Sequence, residues 1–435
     1  MANVLGPIIA AYRLPDLRRR ILYVFGMFAI YVVGLHIPIP GANKEAMAKL
    51  TEGGLLGLMD AFTGGGFRRF SILAMGIMPY INASIIFQLL GIAVPRIAEL
   101  AKEGQAGRTK ISQYTRWLTI ILGLLQATMT CVMLQQYKVQ GGGSILEVKG
   151  LGLIPIIITL TGGTCFLMWL GERITDKGIG NGVSLIIFAG IVARMPLDIA
   201  ATYKSWHAGI YNWIQILWLL VLWLITIAGI IYITKGERRI TIQSAKRVVG
   251  TRIYAGGSTF LPIRVNTAGV IPIIFAIAVV LLPAQIAQFL SGAKGELGIW
   301  MTRIADFFSP GRSLVAAALY FLLVVFFTYF YTAVSFNVAD VSDNLKKYGS
   351  FIPGIRPGRP TERHLDKVLS RVTLAGAIFL GIIALLSYGV PRITGVQSFT
   401  VVGGTSLLIL VGVALDTLQQ IEAHLVMRQY EGFIR

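Results

Sequence analysis

Charge is what this sequence has least of. Only 14% of its 435 residues are Asp, Glu, Lys or Arg, against about 25% in an ordinary soluble domain. Ten stretches contain none at all: residues 21–43, 70–95, 117–137, 150–171, 178–193, 205–234, 265–293, 313–339, 372–391 and 393–415. Nine are long enough to cross a hydrocarbon core, which takes roughly 17 to 25 residues as helix. The fifth, bounded by Lys177 and Arg194, has 16 residues, so it spans only if those two side chains snorkel outward to water. A soluble fold is excluded, and an all-α integral membrane protein with ten transmembrane helices is expected.

Other scarcities narrow the chemistry. The two cysteines, Cys131 and Cys165, sit inside apolar runs, which suits small buried hydrophobes and not a disulfide framework. The four histidines, His36, His207, His364 and His424, are scattered over different loops and ends, so they offer no catalytic or metal-binding constellation. Acids reach the runs only at their ends, as Asp416 does at the end of the tenth. A coupling ion therefore has no ligand at mid-membrane, which counts against the competing reading of an ion-coupled solute carrier. There is no Gly-x-x-x-x-Gly-Lys-[Ser/Thr] loop either, so the chain carries no such phosphate site to drive movement. Neither a cofactor, a metal nor an enzymatic activity is expected.

Base is in excess, with a net charge of +19. Ten spans would place 27 Lys and Arg on the side of the N-terminus and 12 on the other. Because basic loops are retained in the cytosol, both termini are expected inside, and the net charge reads as a topology signal. Arg18, Arg19 and Arg20 precede the first run as in a secretory signal, but that run is too long for a signal core and is expected to remain as a span.

An internal repeat marks a centre. Gly76-Ile77-Met78-Pro79-Tyr80-Ile81 in the second run matches Gly269-Val270-Ile271-Pro272-Ile273-Ile274 in the seventh. Gly182-Val183-Ser184-Leu185-Ile186-Ile187, continuing to Gly190, matches Gly404-Thr405-Ser406-Leu407-Leu408-Ile409, continuing to Gly412. Second with seventh and fifth with tenth is a repeat of five spans, and an odd repeat crosses the membrane in opposite senses. Inverted halves place a functional site at their interface near mid-membrane, where Gly/Pro-interrupted segments point to it. The matches converge on Ile81, Ile187, Ile274 and Ile409. Each lies within about five residues of the middle of its run, or roughly 8 Å. Helical spacing adds Ile85 to the face of Ile81 and Val183 to the face of Ile187. These are either ordinary packing residues or an apolar constriction, which would gate by dewetting.

Three further segments carry information. Leu55 to Phe67, apolar and closing on Gly64-Gly65-Gly66, is too short to span and is either a surface loop or a re-entrant piece in an outer vestibule. Lys235 to Arg264 alternates apolar and polar residues around Gly250 and Gly256-Gly257, as a hairpin does. Phe351 to Pro360 forms a stiff basic turn. Structured basic tips suit a large acidic partner, whereas bare retention charges need no such order.

The strings FSILAMGIMPYI (70–81), QYTR (113–116), LMWLGERITDKGIGNG (167–182), NTAGVIPIIFA (266–276), DNLKKYGSFIPGIRPG (343–358) and GGTSLLIL (403–410), in this order and spacing, resemble the SecY family, the central subunit of the bacterial protein-conducting channel. The resemblance runs from about Pro15 to Phe433. It implies two inverted five-helix halves, 1–200 and 201–435, hinged between the fifth and sixth spans and opening to lipid between the second and seventh. The pore ring falls by position on Ile81, Ile85, Val183, Ile187, Ile274 and Ile409. Leu55 to Phe70 looks like the family's plug, with Leu55, Leu56, Leu58, Met59, Phe62 and Phe67 as its apolar side chains. Arg252 and Arg356, with Arg359, Lys246 and Arg247 beside them, fall where the family meets a translating ribosome or the SecA motor ATPase. SecE-type and SecG-type small membrane subunits, signal sequences, secretory polypeptides and the lipid of a bacterial plasma membrane are the other partners implied. Three positions depart from the pattern: Val183 is often Ile, Thr251 stands where a second Arg often precedes Arg252, and Asn82 replaces a small hydroxyl residue.

Overall fold

The computed structural model describes residues 12–51, 54–136, 145–146, 148, 150–244, 247–249, 252–254, 257–290, 296–308, 313–396 and 403–433. Helices dominate. In chain order they are α1 (Pro15–His36), α2 (Lys44–Leu50), α3 (Gly54–Phe62), α4 (Met78–Ala93), α5 (Pro95–Lys102), α6 (Gln105–Gln136), α7 (Leu153–Lys177), α8 (Gly182–His207) and α9 (Trp213–Lys235). There follow α10 (Ile271–Leu290), α11 (Glu296–Phe307), α12 (Leu314–Ser335), α13 (Val338–Lys347), α14 (Arg359–Thr394) and α15 (Gly404–Phe433). Among the described residues nine helices are long and apolar enough to cross a membrane, and α4 is a shorter apolar helix. Their outer faces carry exposed Trp117, Trp213, Trp218, Leu314 and Phe326, a surface that suits lipid, since lipid tails are as apolar as leucine.

Charge-free length proves a poor ruler at two places, with opposite errors. The second run has 26 residues, yet its helix has only 16. Ser71 bridges to Pro38 and residues 72–77 form turns: Gly76 takes φ +60°, and Pro79 sits in the first turn of α4, where its missing N–H costs nothing. The fifth run, too short by charge, belongs to the 26-residue α8. That helix continues through Arg194 and Asp198, and Arg194 does not snorkel: only 7% of it is exposed. Asn181 starts α8 properly, its Oδ1 accepting from the Val183 and Ser184 amides at 3.0 and 3.2 Å.

The repeat acquires a local cause. Gly269 takes φ +65°, like its counterpart Gly76, and α10 then opens on Ile271-Pro272. A left-handed residue that side chains resist, followed by a proline whose φ is already helical, starts a helix at the same point of each motif. The second motif likewise opens a helix on its first glycine, at Gly182 in α8 and Gly404 in α15.

Helices α1, α4, α6, α7 and α8 pack chiefly on one another, as do α9, α10, α12, α14 and α15. The two groups meet where α10 lies on α4 and α6, and where α15 lies on α8. The largest core cluster occupies that seam, joining Ile81, Ile187, Ile274, Ile409, Leu407 and Phe275.

At one end of the bundle stands a small sheet. Strands β1 (Glu237–Ser244) and β4 (Ser258–Arg264) pair antiparallel from Glu237↔Arg264 to Gln243↔Ser258. Between them β2 (Arg247–Val249) pairs with β3 (Arg252–Tyr254), giving the hairpin that the alternation predicts. A third partner is unanticipated: β5 (Ser350–Phe351) adds to β1 through Ser244↔Ser350. The two long loops are thereby joined over a core of Ile240, Ile263, Ile352, Leu365 and Leu369.

Candidate functional site

Four helix starts bring the repeat isoleucines together. Ile81 and Ile85 come from α4, Ile187 from α8, Ile274 from α10 and Ile409 from α15. All five are at most 5% exposed and belong to one cluster, with the partly buried Val183 packed against it. On one side of this waist opens a cavity of about 110 Å³ lined by Ile81, Val183, Ile187 and Ile274, with Ser84, Gln88, Asn181 and Ser184 supplying polar groups. A second cavity, of about 350 Å³, lies among Asn181, Ser184, Arg264, Asp416 and Gln419, where Arg264 Nη1 donates to Gln419 Oε1 at 2.7 Å. Cavities with polar linings thus lie against a buried apolar cluster. Asn82, beside the ring, is buried, and nothing in the structure explains the choice of asparagine.

Beyond the waist lies the segment that sequence left between loop and re-entrant piece. It is the helix α3 followed by turns, and it is buried: Leu56, Met59, Phe62 and Phe67 are each at most 7% exposed. The side chains of Leu55 and Leu58 lie outside the described residues. Phe62 joins the same cluster as the ring isoleucines, whereas Leu56, Met59 and Phe67 belong to a second cluster with Phe70, Leu134 and Leu146. Gly64 lets this segment come close to α8: a Cβ there would lie 2.8 Å from Gly190 Cα. Tyr31 of α1 adds a hydrogen bond from its hydroxyl to the Thr63 carbonyl at 3.3 Å.

One constellation was missed by sequence reasoning. Asp60 is fully buried, with Oδ2 at 2.6 Å from Arg194 Nη1 and Oδ1 accepting from the Arg68 amide at 2.7 Å. Arg194 also pairs with Asp198, one helical turn on, at 3.3 Å from Nε, and its Nη1 donates to the Gly57 carbonyl at 3.4 Å. Burial raises the pKa of the Asp60 carboxyl from its ordinary value, and Arg194 and the Arg68 amide oppose that rise. The available signal was a lone acid in an apolar glycine-rich segment and a base cutting short a run that needed more length.

At the sheet end, Arg356 and Arg359 are exposed. Arg356 sits on a tight turn bounded by Gly354 and Gly358, both at positive φ, and closed by Thr361 Oγ1 donating to the Arg356 carbonyl at 2.8 Å. Arg247 and Arg252 occupy the paired β2 and β3, but their side chains lie outside the described residues, as do Lys246 and Thr251 altogether.

These features define a polytopic helical membrane protein with a buried apolar cluster between two helix groups, polar cavities on one side of it and a buried segment on the other. The SecY family model matches residues 71–418. The protein translocase subunit SecY of Thermotoga maritima is 46% identical, over 98% of this chain and 96% of its own. A solved SecY channel, whose plug domain is described as stabilising the closed state and maintaining a membrane seal, superposes with a TM-score of 0.65 at 19% identity, over 96% of each chain. The Sec61 channel of the canine ribosome–channel complex does so with a TM-score of 0.62 at 17% identity, again over 96% of each. The chain belongs to the SecY family: it is a pore-forming membrane subunit of a protein translocase and not an enzyme.

Proposed function

We propose that secretory polypeptides cross through the waist ringed by Ile81, Ile85, Val183, Ile187, Ile274 and Ile409, and that this ring is the seal of the idle channel. The observation that carries the reading is the convergence of five of these side chains, from four helices, into one buried cluster at the seam between two helix groups. In this reading the chain crosses a bacterial plasma membrane ten times with both termini in the cytosol, α4 and the turns before it making one crossing. Residues 1–200 and 201–435 are the inverted halves, and α4 against α10 is the seam that opens to release apolar segments into lipid.

Residues 55–70 act as the plug, in keeping with the sealing role described for the plug of the solved SecY channel. The basic sheet end, with Arg252, Arg356 and Arg359 and with Lys246 and Arg247 nearby, is the docking face for an external engine. A ribosome sits on the related canine channel; a SecA-type ATPase is the alternative engine, and SecE-type and SecG-type helices complete the complex in the membrane. No driving force comes from the chain itself.

A photo-crosslinking amino acid at Ile274, in a channel carrying a secretory chain arrested in transit, should capture that chain. One at Leu322, which faces outward on α12 and is 61% exposed, should capture lipid. Capture of the substrate at Leu322 and not at Ile274 would move the path out of the waist.

A further inference from the structure

The plug is held unequally. Its buried contacts with the N-terminal half include an ion pair and hydrogen bonds: Asp60 to Arg194 at 2.6 Å, the Gly57 carbonyl to the same guanidinium and Thr63 to Tyr31, with Gly64 packed close against Gly190. Arg194 is fixed in turn by Asp198. From the C-terminal half, Gln285 Nε2 on α10 donates to Met59 Sδ at 3.3 Å, and a thioether is a weak acceptor. A buried pair of opposite charges resists separation, because parting it strands a charge in a medium that solvates it poorly. An amide donating to sulfur has no such penalty.

We infer that Arg194 is the positioning residue of the plug, fastening it through Asp60 to α8 so that the plug stays with the N-terminal half when the halves part. Opening of the α4–α10 seam then breaks the Gln285–Met59 contact first. The plug leaves the pore only when water or a translocating chain reaches the Arg194 guanidinium and replaces Asp60 there. This inference rests on residues 55–70 being the plug.

Idle ion conductance of the reconstituted complex tests it. Arg194→Gln leaves Asp60 buried without its partner and should raise the idle conductance at least tenfold, as should Asp60→Asn. The double variant should leak no more than the leakier single one, since contacts acting through one pair are not additive. Arg194→Lys, which keeps the charge, should recover most of the seal. In a channel lacking residues 55–65, Arg194→Gln should add nothing, whereas a general role of Arg194 in packing the bundle would still show there. An unchanged idle conductance on deleting 55–65 would sink the plug reading itself. A leak on deletion with a tight Arg194→Gln channel would leave the plug and overturn the role of Arg194. Multiplying effects in the double variant would overturn it as well.

Discussion

A polar side chain in the ring should open the channel, and Ile409 is the position at which the size of the effect is best defined. Ile409 is fully buried in the shared cluster, so an asparagine there meets apolar neighbours. A polar group buried without hydrogen-bond partners costs about 1 to 3 kcal/mol. That cost falls on the closed, dry state, because in the open state water or the substrate backbone satisfies the amide. With about 1.4 kcal/mol for each factor of ten, the closed-to-open ratio should fall roughly 5- to 150-fold. Ile409→Asn should therefore leak ions when idle and export proteins whose signal sequences are too weak for the original channel. The control is Leu410→Asn. Leu410 is only partly buried at the edge of the same cluster, and it points about 100° around the helix from Ile409. Conductance in planar bilayers and export of a signal-defective reporter read the two variants side by side. Equal behaviour would refute the ring assignment, since only Ile409 is both fully buried and turned into the cluster.

Three further outcomes are expected. Arg356→Glu should impair protein export while leaving the channel's own membrane insertion intact, because the exposed turn lies outside the spans; normal export would reduce it to a topology marker. Single cysteines placed at Arg252 and Arg356 should resist an impermeant thiol reagent added outside intact cells, and efficient outside labelling would reverse the orientation drawn from 27 against 12 basic residues. Gly190→Val should unseat the plug and raise the idle conductance, because the first added carbon would meet Tyr31 Oη at 2.9 Å and the Gly64 amide nitrogen at 3.3 Å. Gly162→Val, where nothing lies within 4 Å, should leave the conductance unchanged.

What sequence could convey depended on whether the information was periodic or paired. The convergence of Ile81, Ile187, Ile274 and Ile409 was legible because each stands five residues after a motif glycine that begins or precedes a helix start, so the repeat counted out the depth. The β1–β4 hairpin was legible from alternation alone. The pairing of β5 with β1 was not, because Ser244 and Ser350 are 106 residues apart and neither strand announces the other. The length of α4 was hidden by treating a run without charge as one helix, when Gly76 and Pro79 place the helix start within the run.

The Asp60–Arg194 pair was hidden for a deeper reason. Counting charge-free residues treats every charged side chain as a boundary with water, which holds for Lys177, exposed at the end of α7, and fails for Arg194. A guanidinium can lie inside a bundle when a carboxylate meets it there, and here the carboxylate comes from a segment more than a hundred residues earlier. The two kinds of contact suit two different tasks. Apolar attraction at the waist is non-directional, so the isoleucines can close around nothing, or around chains of differing side chains, with little preference among them. It cannot by itself return a displaced segment to one fixed place. An ion pair has direction and a single partner, and its cost of separation rises as water is excluded. A channel that must yield to many sequences and reseal to one state gains from both, with the yielding contact at the ring and the indexed one behind it. On this view weakening the waist should broaden the range of accepted signals, whereas loss of the Asp60–Arg194 pair should mainly slow resealing after each passage. Measuring the decay of conductance after substrate release in Ile409→Asn and Arg194→Gln channels separates the two. Equally slow decay in both would collapse the ring and the ion pair into one function.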